Sequence, residues 1–425
     1  MKLNVNPVRG TKDYLPTEME VRQNIINIVL ENYKRNGFQH IKTPILENIE
    51  LLTGGDSGDN QKLMFKTIKR GEKLNLNEPN LTENMLCEEG LRYDLTVPLV
   101  RFYSKNRNNL SSPFKSIQID ESFRAERPQR GRNRQFTQCD IDILGDSTIV
   151  AEIEILLTAL NTYKAIGFDN ITLKINDRRI LNSIIIYSGF GEENITDICI
   201  SLDKADKIGL ENVMLELLDK NYEKSNVEKL ISIMQEIKEN GISSLEQYIT
   251  DISIIENLKT LISILQNNCN ANHKIEFDIS IIRGQGYYTG MVFETYTNDY
   301  NYTGALGGGG RYDNMVEKIS GTPTPAVGYS IGLDPITMIM LENNKCFDDT
   351  KTIALIYNKE DNLEDVFDIK LQLVNKYNVS IFKYPKNMSA FLDKLLQNNF
   401  YGYTFTKDCM QADDINNVEI KKLEK

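Results

Sequence analysis

Five arginines, Arg124, Arg127, Arg130, Arg132 and Arg134, fall within eleven residues that are bounded on both sides by strand-like sequence. Phe114 to Ser122 reads as one strand and Gln135 to Leu144 as another. In the second, Cys139, Ile141 and Ile143 alternate with Gln138, Asp140 and Asp142, which gives one apolar and one polar face. This part of the chain is therefore expected to form a sheet with a basic hairpin loop rising from it. A guanidinium makes two parallel charged hydrogen bonds and keeps its proton. Such a loop can set one arginine on an α-phosphate and others on a β/γ-phosphate tail. Composition alone leaves a solvated basic hairpin or an RNA-backbone patch equally open.

Two further segments carry chemistry. In Leu91-Arg92-Tyr93-Asp94-Leu95-Thr96-Val97-Pro98, Asp94 and Thr96 stand two apart, so on a strand they face one side. An acid beside a hydroxyl can hold a substrate ammonium; a polar edge strand accounts for the same spacing. In Ile281-Ile282-Arg283-Gly284-Gln285-Gly286-Tyr287-Tyr288-Thr289-Gly290, two glycines and two tyrosines follow an arginine. Glycine allows close backbone approach to a ligand, and tyrosine puts a hydroxyl on a rigid ring. Gly307-Gly308-Gly309-Gly310-Arg311-Tyr312-Asp313 follows. It is neither a P-loop nor a dinucleotide turn. Tight-turn chemistry in a sheet explains both glycine clusters as well.

The chain has 425 residues, 40% of them hydrophobic, enough for two to three domains with a sizeable core. Helical spacing of Val21, Ile25, Ile28, Val29 and Tyr33 predicts a helix over Glu18 to Asn36, stopped by Gly37 and followed by a short β-rich segment ending in Thr43-Pro44-Ile45. Asp146 to Ala165 is helical again. Residues 172–275 read as a polar, helix-rich insertion. Residues 276–343 return to strand and glycine signals. After a polar linker, 350–425 reads as a small α/β unit. A net charge of −11 argues against a general nucleic-acid coat protein but permits a local basic groove. Six cysteines without CxxC spacing and only two histidines, His40 and His273, argue against a zinc site or a Ser-His-Asp triad. No apolar run approaches the roughly 18 residues of a membrane span, and Met1 to Arg9 lacks a secretory apolar region. A soluble, cytoplasmic protein is expected.

Together these segments resemble the histidyl-tRNA synthetases, from Arg9-Gly10-Thr11-Lys12-Asp13 to about Ile336. The first helix with Gly37 and Thr43-Pro44 looks like class II motif 1, and the arginine hairpin like motif 2. Arg283 to Thr289 and Gly308 to Asp313 look like the two signatures peculiar to this family. The segment near Asn176-Asp177-Arg178-Arg179 looks like the family's insertion. The resemblance implies an α+β fold with three parts. They are an antiparallel class II core flanked by helices (1–171 and 276–343), a helical insertion (172–275), and a C-terminal anticodon-binding-like α/β domain (350–425). It implies a homodimer through the motif 1 helix and strand, and ATP, Mg²⁺, histidine and tRNA(His) as reactants and partners. Arg124 would meet the α-phosphate; Glu126, Arg132 and Gly309 would also hold ATP. Asp94, Thr96, Gln138, Asp142, Tyr287, Tyr288 and Tyr312 would surround histidine. Arg283 would stabilise the charge that develops as the substrate carboxylate attacks the α-phosphate. The implied activity is histidine–tRNA ligation through histidyl-adenylate.

The chain departs from the family pattern in places. Motif 3 ordinarily reads Gly-Leu-Glu-Arg, whereas here Asp334 stands in the acid's place and Pro335 in the arginine's. Gln285 and Gly286 replace the Leu and Asp of many relatives. Lys351 to Lys425 holds eleven lysines, eleven acids and no arginine, a weak basic bias for an RNA-reading domain. The alternative reading is a catalytically impaired paralogue or a histidine-sensing regulatory subunit of ATP phosphoribosyltransferase.

Overall fold

The computed structural model describes residues 3–54, 63–77, 79–282, 288–343, 345, 351–411 and 418–423. The chain divides into two compact units, Met1–Asp13 with Ile25–Ile339, and Tyr14–Asn24 with Met340–Lys425.

The first unit is built on an eight-stranded sheet. Its strands are β1 (Gln39–His40), β5 (Phe114–Phe123), β6 (Gln135–Leu144), β7 (Ile171–Asp177), β8 (Lys274–Phe277), β9 (Met291–Thr297), β10 (Gly307–Arg311) and β11 (Ala326–Gly332). They lie in the order β1-β5-β6-β11-β10-β9-β7-β8. Every pairing from β5 to β7 is antiparallel, and only the outer pairs β1/β5 and β7/β8 are parallel. The expected antiparallel core is thus present, with a parallel strand added at each edge.

Period-two alternation sorts the two faces. On one face Ile117, Ile141, Tyr329, Gly309 and Phe293 align across successive strands and are buried. Helix α1 (Pro16–Arg35) and helix α5 (Ile149–Ile166) supply apolar partners, and each sends a tyrosine to this face. Tyr33 donates to the Cys139 carbonyl at 3.2 Å, and the Tyr163 and Tyr329 hydroxyls meet at 3.2 Å. Both rings are fully buried, so each hydroxyl needs such a partner. The opposite face carries Ser116, Gln118, Gln138, Asp140, Asp142 and Ser330 in register.

A three-stranded sheet of β2 (Leu46–Asn48), β4 (Cys87–Leu91) and β3 (Lys66–Ile68) leads into helix α4 (Thr96–Asn106). Asp94 and Thr96 do not lie on a strand, contrary to expectation. The chain turns after β4, and the Asp94 carboxylate accepts from the Val97 amide at 3.0 Å, capping the helix that Thr96 begins. Two short helices, α2 (Ile49–Gly54) and α3 (Glu83–Leu86), flank these strands. Arg92 is buried before this turn. It donates to the Glu121 and Thr43 carbonyls at 2.7 and 2.9 Å and pairs with Asp120 at 3.0 Å, locking β4 to β5.

Between β7 and β8 the chain runs through helices α6 (Arg178–Tyr187), α7 (Ile195–Leu202), α8 (Ala205–Ile208), α9 (Leu210–Asp219), α10 (Lys224–Asn240) and α11 (Ile252–Asn268). Helix α12 (Asp313–Ser320) follows β10 and α13 (Leu333–Glu342) follows β11.

The second unit carries a four-stranded sheet ordered β13 (Asn378–Lys383), β12 (Thr352–Tyr357), β14 (Gly402–Phe405), β15 (Lys421–Lys422). β12 is parallel to β13 and β14. Ile353 and Leu355 pack with α14 (Leu363–Leu373) and α16 (Thr406–Met410). Ala354 and Ile356 pack with α15 (Met388–Gln397). A strand buried on both faces is what a parallel α/β unit requires. No helix among the described residues is long and apolar enough to cross a membrane.

Candidate active site

The site grows from the β5–β6 hairpin. Their register pairs Asp120 with Gln138, Gln118 with Asp140 and Ser116 with Asp142. Asp140 and Asp142 are 4% and 3% exposed, which places two carboxyls side by side in a dry setting. Burial raises both pKa values, Asp142 to about 7 and Asp140 well above the ordinary carboxylate range. Mutual repulsion, and repulsion from Asp94, push in the same direction for Asp140. The Tyr312 hydroxyl opposes the shift at Asp142, donating to Oδ1 at 2.6 Å.

Neighbouring strands make room for this pair. Gly328 on β11 lies opposite Asp142, and a Cβ there would stand 2.0 Å from Asp142 Oδ1. A Cβ on Gly310 would meet the Tyr288 ring at 2.9 Å. Gly308 aligns with Ser330 and Asp140 on the polar face, whereas Gly309 aligns with Tyr329 on the apolar one. Gly309 can thus offer a nucleotide only its backbone.

Three carbonyl or carboxyl oxygens on this face, Gln138 Oε1, Asp140 Oδ1 and Asp142 Oδ2, are buried without a hydrogen-bond partner among the described residues, as are the Ser116 and Ser122 hydroxyls of β5. Around them stand Asp94, Tyr288 and Arg124. The charges of Asp94, Asp140 and Asp142, after burial, raise the Tyr288 phenol, and Arg124 pulls it down. Arg124 donates from Nε to the Tyr93 carbonyl at 3.0 Å, and its guanidinium carbon lies 5.1 Å from the Phe136 ring centre. That leaves a stacked, oriented cation beside the acidic cluster.

The rest of the basic loop is a hairpin closed by two hydrogen bonds of 2.9 Å between Gln129 and Arg132, with Gly131 at φ +72°. Arg127, Arg130, Arg132 and Glu126 are exposed on it. Arg134 has a structural task. Its amide donates to the Gly10 carbonyl at 2.7 Å and its Nε to the Glu126 carbonyl at 3.0 Å, which ties the Arg9-Gly10 segment under the loop.

Of the expected site residues, Arg124, Asp94, Gln138, Asp142, Tyr288 and Tyr312 converge here, with Thr96 at the head of the adjoining helix. Arg283 and Tyr287 lie outside the described residues. Asp140, Ser330 and Gly328 were not anticipated. Asp140 shared the polar alternation of β6 and was legible from it, but Ser330 and Gly328 arrive through strand register. Arg311, in the glycine-rich signature, turns away from the cluster. It makes a bidentate pair with Glu152 at 2.6 Å, both side chains buried. Asp334 accepts from the Thr137 amide at 2.9 Å, fastening the first turn of α13 to β6, and Pro335 follows it.

The histidyl-tRNA synthetase family matches residues 10–336. The histidine–tRNA ligase of Leifsonia xyli is 35% identical over 414 residues, covering 94% of this chain and 95% of that one. A probable histidine–tRNA ligase of Tropheryma whipplei is 36% identical over 394 residues, covering 88% and 89%. Among solved structures, the histidyl-tRNA synthetase from Nostoc superposes with a TM-score of 0.74 at 22% identity, covering 98% of this chain and 96% of that chain. An ATP phosphoribosyltransferase regulatory subunit/histidyl-tRNA synthetase from Bacillus halodurans gives 0.75 at 18%, covering 95% and 99%. The chain belongs to the histidyl-tRNA synthetase family.

Proposed function

We infer that this protein is a histidine–tRNA ligase that joins histidine to ATP as histidyl-adenylate and passes the acyl group to tRNA(His). The observation that carries this reading is the set of three buried, unpartnered acceptors, Gln138 Oε1, Asp140 Oδ1 and Asp142 Oδ2, beside the oriented cation of Arg124. Buried acceptors without donors are costly unless a ligand supplies the hydrogens. Histidine does so with an ammonium and an imidazole N–H. Asp94, Thr96, Tyr288 and Tyr312 complete the enclosure, and the family resemblance assigns Tyr287 the same role.

The substrate carboxylate would attack the α-phosphorus, and the bond to pyrophosphate would break. Arg124 would neutralise the α-phosphate oxygens, and Arg283 the charge that grows between carboxylate and phosphorus. Glu126, Arg132 and the backbone of Gly309 would hold the nucleotide. No group of three or more His, Cys, Asp or Glu is placed to hold a metal among the described residues. Mg²⁺ would enter on the triphosphate, as part of the substrate. The tRNA terminal hydroxyl then attacks the acyl carbon and AMP leaves.

Pro335 supplies no charge where the family ordinarily has an arginine, so the triphosphate tail falls to the exposed Arg127, Arg130 and Arg132. Helix α1 with β1 would form the homodimer contact. The second unit would meet tRNA. Lys351 lies 4.3 Å from the Tyr401 ring centre and Lys421 4.6 Å from that of Phe405, a cationic and aromatic pairing suited to unstacked bases. The cytoplasm, where tRNA is charged, is the expected location. Charging of tRNA(His) with labelled histidine tests the reading. Acylation that needs ATP and histidine supports it; histidine binding without acylation favours the regulatory-subunit alternative.

A further inference from the structure

We propose that Asp140, together with Ser330, is a positioning residue for amino-acid recognition: the pair holds the Gln138 amide with its NH₂ inward and its carbonyl facing the cleft. The proposal rests on the histidine–tRNA ligase reading above.

The placement follows from register. Gln138 and Asp140 stand two apart on β6 and share a face, and Ser330 on β11 is the direct cross-strand partner of Asp140. Gln138 Nε2 reaches Ser330 Oγ at 3.2 Å and Asp140 Oδ2 at 3.5 Å. Ser330 in turn hydrogen-bonds the Asp140 carboxyl. Gln138 Oε1, the other end of the amide, is buried without a partner among the described residues.

A primary amide has two ends of nearly equal size, one accepting and one donating. Only its surroundings decide which end meets a ligand. Ser330 Oγ and Asp140 Oδ2 both take the NH₂ end, and in its ionised form Asp140 has no hydrogen to give to the other. The carbonyl end is thereby turned away from Asp140 and Ser330, and it is buried without a partner among the described residues. Gln138 Oε1, Asp140 Oδ1 and, in its ionised form, Asp142 Oδ2 are acceptors, and such a set suits a group that only donates. An ammonium is such a group. A ligand lacking it would leave the same acceptors bare, at a penalty per group of the kind that separates close substrate analogues. Burial, then the charges of Asp142 and Asp94, raise the Asp140 carboxyl, and Ser330 and Arg124 lower it. An incoming ammonium adds positive charge that favours its ionised form.

The test compares wild type, Asp140→Asn and Ser330→Ala in ATP–pyrophosphate exchange, with two competitive inhibitors. Histidinol keeps the ammonium and imidazole; 3-(imidazol-4-yl)propanoate keeps the imidazole and lacks the ammonium. Asparagine at 140 can donate to Gln138 Oε1 and so permits the amide to turn over. The expected result for Asp140→Asn is a KM for histidine raised roughly tenfold or more, with that for ATP within about twofold. Histidinol should weaken by a similar factor and the propanoate should not. Ser330→Ala should move the histidinol/propanoate ratio the same way by a smaller factor, and it decides the matter should Asp140→Asn fail to fold. An unchanged ratio in the folded variants, or equal weakening of both inhibitors, would overturn the proposal and leave Asp140 a packing residue. Absence of histidine-dependent exchange in wild type would instead overturn the ligase reading on which it stands.

Discussion

The Tyr312 hydroxyl donates to Asp142 Oδ1 at 2.6 Å, joining the helix that follows the glycine-rich strand to the acidic face of β6. This hydrogen bond favours the ionised carboxylate, against burial and the Asp94 charge.

Tyr312→Phe removes that donor. Asp142 then titrates higher, and less of it is ionised near neutral pH. The KM for histidine is expected to rise about tenfold near pH 7, as for loss of one hydrogen bond to a charged group. Raising the pH should restore much of the loss, because the carboxylate reforms. A pH profile of kcat/KM for histidine checks this, and a defect of equal size from pH 6 to pH 9 would contradict it.

Asp142 opposes folding when it is charged. Its folded pKa of about 7 lies above an unfolded value near 4, so the folded state holds the extra proton between those values. Stability of the unliganded protein therefore falls as pH rises from about 4 to about 7, and the deficit is complete above that range. Asp142→Asn abolishes this dependence. Its thermal midpoint should exceed that of wild type most clearly at about pH 8 and approach it on acidification. Exchange with histidine should fall at least about a hundredfold, since the charged partner is gone. Thermal unfolding across pH, beside exchange, reads both effects.

Gly328 leaves the space that Asp142 occupies. Gly328→Ala would drive a methyl against Oδ1, where an ideal Cβ stands at 2.0 Å. The carboxylate or the strand must shift, at about 1–3 kcal/mol for overpacking. Histidine KM should suffer more than ATP KM. Equal effects on both substrates would place Asp142 outside the amino-acid pocket.

Pro335 occupies the third position of α13. Pro335→Arg restores a cation at the motif 3 position. The KM for ATP should fall several-fold, by roughly 1 kcal/mol or more for a charge-assisted phosphate contact. The KM for histidine should not change. Initial-rate kinetics in the two substrates separate these outcomes, and an unchanged ATP KM would mean the hairpin arginines already meet the triphosphate.

Much of this arrangement was legible in local sequence. The second strand of the hairpin is observed over Gln135–Leu144, as its strict alternation indicated, and the first ends one residue later than expected, at Phe123. The α1 and α5 helices follow their apolar spacing to within a few residues. The two-residue spacing of Asp94 and Thr96 fits a strand and equally fits a capping acid before a helix, and the structure has the second. Pro98, tolerated in a first helical turn, was the signal that separated the two. Asp140 lay in plain alternation with Gln138 and Asp142. What no local pattern carries is strand order. Ser330 and Gly328 meet Asp140 and Asp142 only because β11 runs beside β6, more than 180 residues away in the chain.

Histidine activation on this fold requires one cleft in which the β6 acceptors take the amino acid while Arg124 takes the α-phosphate. Exchange of radiolabelled pyrophosphate into ATP by the purified wild-type protein tests this most directly, with histidine compared against the other amino acids and against none. Exchange that requires histidine, and that falls in Arg124→Ala, is the predicted result. Tight histidine binding with no exchange above the amino-acid-free rate would contradict it.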